Sequence, residues 1–124
     1  MKNKAHTYRF GVLAEYIAAA YLLLKGYRVI ALRFRNGGGE IDIVAIRART
    51  LVAVEVKARR SFDACLDTVM PWKQQKIARA VEGLFAGQNK LSGLVRTQTD
   101  NIRFDVIWVA PFRLPRHIKE AWRM

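Results

Sequence analysis

Two runs of alternating apolar and polar residues, Glu40 to Arg47 and Thr50 to Lys57, flank Ala48 and Arg49 and predict an antiparallel hairpin with a short loop. Paired positions then sum to 97, so Asp42 faces Glu55 and Glu40 faces Lys57, all four on one side of the sheet. On the other side Ile41, Ile43 and Ala45 fall opposite Val56, Val54 and Val52, a wholly apolar face. A slip of one residue would set these side chains among the carboxylates, so the pattern itself selects the register. Val44, Ile46, Leu51 and Ala53 extend the charged side as an apolar surface, which predicts burial of that side too, except at the charged end.

Helical spacing begins near Arg9 and ends at about Lys25, where Gly26 supplies a stop. Phe10, Leu13, Ala14, Ile17, Tyr21 and Leu24 form a stripe, and Val12, Ala18, Ala19 and Leu22 make the remainder nearly as apolar, the pattern of a buried helix. Residues 1–8 read as a polar, basic arm. Tyr27 to Phe34 predicts a strand and Asn36-Gly37-Gly38-Gly39 a flexible entry to the hairpin. Pro71 opens a helix to about Ala86, with Ile77, Ala78, Val81, Leu84 and Phe85 inward. Ser61 to Met70 reads as an exposed loop, and Gly87 to Asn101 as a linker with at most one short turn. Ile102 to Val109 alternates as a strand, on which Arg103 and Asp105 make a local ion pair. Pro111 and Pro115 precede a tail, 111–124, whose Ile118, Ala121 and Trp122 are expected to pack as one helical turn.

At 124 residues the chain fits one domain, 1–124. Lys and Arg number 22 against 10 acidic residues, a formal charge of +12 that suits a polyanion, most often nucleic acid. Cys65 is the only cysteine, so no internal disulfide can form and a reducing, cytoplasmic setting is expected. The apolar run Val12 to Leu24 is interrupted by Glu15 and is shorter than a membrane span, so no membrane partner is expected. His6, His117 and Cys65 lack ligand-like spacing, and no phosphate-binding GxxxxGK[ST] pattern occurs. Any catalysis therefore rests on carboxylates, Lys57 and a metal.

Opposed carboxylates repel unless a cation lies between them. Two readings stand for Glu40, Asp42 and Glu55: a structural cluster in which Glu40 pairs with Lys57, or a site for a divalent metal, Mg²⁺ or Mn²⁺, to which hard oxygen ligands are suited. Glu15 is out of place on its apolar helix. It either pairs with an arginine such as Arg9 or reaches solvent, or it leans toward Asp42 and Glu55 to complete the metal site. Arg59 and Arg60 add positive charge beyond Lys57, and Lys73, Lys76 and Arg79 form a basic stripe that is either solvated or in contact with phosphate.

The order of Glu15 in a first helix, Gly39-Glu40-Ile41-Asp42-Ile43-Val44-Ala45, then Val54-Glu55-Val56-Lys57-Ala58-Arg59 resembles the bacterial YraN-like family. That family is similar to archaeal Holliday-junction resolvases of the restriction-endonuclease-like PD-(D/E)XK superfamily. The likeness runs from about Gly11 to Val109, including Lys73, Lys76 and Ala80 and the later Arg103-Phe104-Asp105-Val106. Ile41 stands where the superfamily name has proline, and Ala53 where the family often has an aromatic residue.

The resemblance implies an α/β fold, a central mixed sheet flanked by helices, and a Mg²⁺-dependent nuclease acting on nucleic acid, with DNA, including branched or repair intermediates, favoured over RNA and RNA left open. Asp42 and Glu55 would hold the metal with Glu15 as a further ligand, Lys57 would orient or deprotonate the attacking water, and Glu40 would position Lys57. Arg59, Arg60, Lys73, Gln75 and Lys76 would face the nucleic acid. Symmetric junction cutting would call for two sites and hence a homodimer. The alternative is a nucleic-acid-binding protein that keeps the fold and does not cut.

Overall fold

The structure, a computed structural model, describes residues 4–60 and 69–123, with side chains for 9–60 and 69–123. The elements are α1 (Lys4–Leu24), β1 (Arg28–Asn36), β2 (Gly39–Arg47), β3 (Thr50–Ala58), α2 (Pro71–Ala86), α3 (Lys90–Gln98), β4 (Asn101–Val109) and β5 (Arg116–Trp122). The five strands lie in sequence order in one sheet, antiparallel except for the parallel pair β3 and β4. That parallel pair requires a crossover, which α2 and α3 supply. The fold is thus α/β, a mixed sheet flanked by helices, as expected.

The expected hairpin register holds through the ladder from Arg47↔Thr50 to Ile43↔Val54. Ala48 and Arg49, both at positive φ, form its two-residue turn, and the Arg49 guanidinium reaches across to Asp100. Both faces of the hairpin are buried, each under a different helix. Ile43, Ala45, Val52 and Val54 pack on Ala14, Ala18 and Leu22 of α1, while Val44, Leu51 and Ala53 pack on Ile77, Ala80 and Leu84 of α2.

Ile41 breaks the predicted alternation. It packs with the α2 core, whereas Ile43, two residues on, packs with the α1 core. Opposite this point, between the pairs Phe34↔Ile41 and Leu32↔Ile43, Arg33 takes φ +50°, a backbone state that interrupts a strand's alternation. The same kink carries Phe34 to the α2 side and the Arg33 guanidinium to α1.

Four further expectations are corrected. The first helix starts at Lys4, not Arg9, and buries one face only. Its small Ala14, Ala18 and Ala19 let it approach the sheet closely, and Leu13 and Leu24, expected inside, are exposed. The supposed linker contains α3, nucleated by Asn89, whose Oδ1 accepts the Ser92 N–H at 2.9 Å. The tail forms a strand rather than a helical turn, because the open edge of β4 offers a full ladder and Trp122 stacks on Phe104 at 5.2 Å. The arm's first three residues, most of the Ser61 to Met70 loop, Cys65 and Met124 lie outside the described residues. Among those described, no helix is long and apolar enough to cross a membrane.

Candidate functional site

The hairpin ladder gives out where the carboxylates begin. Beyond Ile43↔Val54 the next main-chain donor of β3 turns to a side chain: Val56 N–H donates to Asp42 Oδ2 at 2.9 Å. Asp42 and Glu55 are therefore close neighbours, as expected, at the point where β2 and β3 part. Asp42 sits on the same kink as Arg33 and feels charges from both helical layers, Glu15 of α1 and Lys73 of α2. Burial is the main cause that raises its pKa, partly offset by the Val56 N–H and Lys73.

Glu55 is the more confined of the two, at 8% exposure. Burial, followed by the neighbouring negative charge of Asp42, pushes its carboxyl up to about 8 against the pull of Lys73 and Lys57. Lys73 Nζ stands 3.6 Å from Glu55 Oε1, so this lysine turns from the exposed stripe inward to the acids. Glu55 Oε2 is buried without a hydrogen-bond partner among the described residues. Such an orphaned oxygen is costly and marks a place for a proton or a cation.

The other acids point elsewhere. Glu15 Oε1 accepts from Arg33 Nε at 2.8 Å, so its partner is an arginine, but of β1 rather than Arg9. Glu40 pairs in the ladder with Arg35, whose Nε lies 3.7 Å from its carboxylate; this corrects the expected Glu40 and Lys57 pair. The reason is the parting of β2 from β3, which leaves β1 as the strand beside Glu40. Lys57 lies over the Trp108 ring at 5.3 Å and remains close enough to Glu55 to act on its charge. Arg59 packs over the same ring at 5.7 Å, while Arg60, Gln75 and Lys76 are exposed.

Among the described residues no three His, Cys, Asp or Glu side chains converge closely enough to hold a metal ion. The pair Asp42 and Glu55 nonetheless fits a hard divalent cation in donor type, and the orphaned Glu55 Oε2 is an available ligand. Glu15 is committed to Arg33 in this arrangement. A cavity of about 240 Å³ joins Gly11, Glu15, Arg33, Arg35 and Glu40, and a second, of about 440 Å³, lies at the β1–β2 turn against Lys76.

Sequence reasoning missed the two β1 arginines that hold Glu15 and Glu40. The run Leu32-Arg33-Phe34-Arg35 carried a signal, since alternating arginines on a strand beside an acidic hairpin are natural counter-ions. It also treated Arg103 and Asp105 as an isolated pair. That pair exists, at 2.8 and 2.9 Å, but His117 Nε2 also donates to Asp105 Oδ2 at 2.7 Å, and the Glu120 N–H to Oδ1 at 3.0 Å. Lys25 Nζ donates to His117 Nδ1 at 2.8 Å, which sets the imidazole proton on Nε2.

A model described as "Uncharacterised protein family UPF0102" matches residues 14–109. The UPF0102 protein of Parvibaculum lavamentivorans is 42% identical over 116 residues, covering 94% of this chain and 83% of the relative. That of Nitrobacter winogradskyi is 46% identical over 112 residues, 90% of each chain. That of Sinorhizobium medicae is 44% identical over 112 residues, 90% of this chain and 87% of the relative. The matched span takes in Glu15, the whole acidic hairpin, α2 and β4, so the likeness covers the carboxylate cluster and the frame that holds it, and the chain belongs to the uncharacterised protein family UPF0102.

Proposed function

We propose that this chain is a metal-dependent nuclease of the restriction-endonuclease-like PD-(D/E)XK superfamily, hydrolysing phosphodiester bonds of DNA with Mg²⁺ or Mn²⁺. The observation that carries the reading is the buried pair Asp42 and Glu55, with an unpartnered Glu55 oxygen at the parting of two strands and Lys73 at 3.6 Å. Two carboxylates confined together, one with a buried oxygen that no donor among the described residues meets, make a poor structural element and a good cation site. Asp42 and Glu55 would hold the metal, which would supply electrostatic stabilisation of the phosphoryl oxygen and a more acidic bound water. Val56 N–H holds Asp42 in place, Lys73 and Lys57 offset charge around Glu55, and Lys57 would orient a water. The +12 charge supports a polyanionic substrate.

The test is Asp42→Asn, which keeps an oxygen for the Val56 N–H and loses the anionic ligand. Calorimetric titration with Mn²⁺ is expected to show binding by the wild type and none by the variant. Cleavage across duplex, flap and junction DNA is expected to fall at least about a hundredfold with melting unchanged. Equal turnover by both proteins would sink the assignment. A second reading, a binding protein that does not cut, draws on one observation: Arg33 engages Glu15 and leaves two acids where three were expected. Salt-sensitive DNA binding with neither metal uptake nor cleavage by the wild type would favour it.

A further inference from the structure

The first turn of α2 borders the carboxylate pair and carries an aromatic side chain that the proposed chemistry does not use. Trp72 is 60% exposed, next to Lys73, whose ammonium reaches Glu55. Leaving an indole in water forgoes more burial free energy than almost any other side chain would. The other two tryptophans are packed, Trp108 beneath Lys57 and Arg59, Trp122 against Phe104. One turn along the helix, Lys76 Nζ lies 5.8 Å from the Trp72 ring centroid. Lys76 also lines the 440 Å³ cavity with Arg35, Glu40 and the turn of Gly37 and Gly38. Those two glycines have φ of +57° and +78° and open space where a side chain would stand, so the turn offers bare backbone to the cavity.

We propose that Trp72 is a stacking platform for an unpaired base and that Lys76, with the Gly37 and Gly38 turn, receives the adjoining phosphate, so the nucleic acid bound here carries a single-stranded segment. An exposed π-face beside cations is the recognition chemistry of unpaired nucleotides, because a base inside a duplex has both faces covered by its neighbours. Exposed Arg79, a further turn along, continues the positive track. The proposal rests on the nuclease reading for what happens at Asp42 and Glu55, but the binding step does not require a cut.

The experiment compares binding of fluorescein-labelled oligothymidylate, about a dozen nucleotides long, with its oligoadenylate duplex, using the full chain in EDTA. Trp72→Ala is expected to weaken single-strand binding by about 5- to 100-fold, with Trp72→Phe recovering most of it and duplex binding shifted less than about twofold. Lys76→Ala should lower the salt-dependence slope for the single strand by about 0.7, the value of one phosphate. No single-strand binding by the wild type, an unchanged Trp72→Ala, equal losses on both ligands or an unchanged slope in Lys76→Ala would each overturn the proposal. Adding Mn²⁺ separates it from the nuclease assignment. Trp72-dependent single-strand preference without cleavage removes the nuclease and keeps the platform, whereas cleavage with an unchanged Trp72→Ala does the reverse.

Discussion

Glu55 concentrates the chemistry of this molecule in one side chain. It is buried at the parting of β2 and β3, and that burial, with Asp42 alongside, raises its carboxyl from an ordinary 4.5 to about 8. A carboxyl raised on folding binds its proton more tightly in the native state than in the unfolded one. Its contribution to stability is therefore fully present below about pH 4.5 and is lost as pH rises through about 8. Glu55→Gln cannot ionise and escapes that loss. Chemical denaturation without divalent metal should show the variant gaining on the wild type steadily from about pH 5 to about pH 8. Parallel curves would mean that Glu55 titrates normally, and with it would go the case for a strained carboxylate pair.

At the scale of elements, β2 and α2 meet backbone to backbone at Gly39, beside the site. A Cβ on Gly39 would stand 2.2 Å from Lys76 O and 2.4 Å from Ala80 N, backbone atoms that cannot step aside. This contact sets the N-terminal half of α2 beside Glu40 and Asp42 and so brings Lys73 to Glu55. Gly39→Ala should destabilise the fold by about 2 to 3 kcal/mol through overpacking, read as a lowered urea midpoint with m unchanged. A loss under about 0.5 kcal/mol would show that the helix rides on the sheet more loosely than the contact implies. Arg33 acts at the same scale, since its left-handed backbone re-aims Phe34 and Arg33 itself to opposite layers. Strain of this kind, of order 1 to 3 kcal/mol, tends to collect at functional sites.

Across the whole molecule, Asp105 ties the two ends of the fold together. It is fully buried on β4, accepts from Arg103, from His117 and from the Glu120 N–H, and so engages the edge strand β5. Through Lys25 on His117 and Tyr27 on Arg103 the same cluster reaches the segment between α1 and β1. Burial alone would raise Asp105, yet these hydrogen bonds outweigh it and hold the carboxylate below its ordinary range. Asp105→Asn leaves Arg103 without its bidentate partner and should cost about 3 to 5 kcal/mol at neutral pH, measured by denaturant titration. The penalty should shrink in acid, where the wild-type carboxylate is itself protonated. A variant within about 1 kcal/mol of the wild type would reduce the cluster to local decoration of β5.

The sequence by itself determined the hairpin, its register from Ile43 and Val54 to the turn, the helix from Pro71 to Ala86 and the meeting of Asp42 with Glu55. Each is a property of one segment or of two joined by a short turn, and a period of two or of 3.6 residues is imposed by the local backbone wherever one face is buried. Only the tertiary structure decided the partners. Glu15 took Arg33, Glu40 took Arg35, Lys73 turned in to Glu55, and the tail became β5 because β4 had an open edge. Ion pairs and edge pairing are chosen by which surfaces meet, and residues far apart in the chain meet only once the layers have packed. Even the misplaced Ile41 follows this rule, for the kink that redirects it lies at Arg33, on the strand across from it.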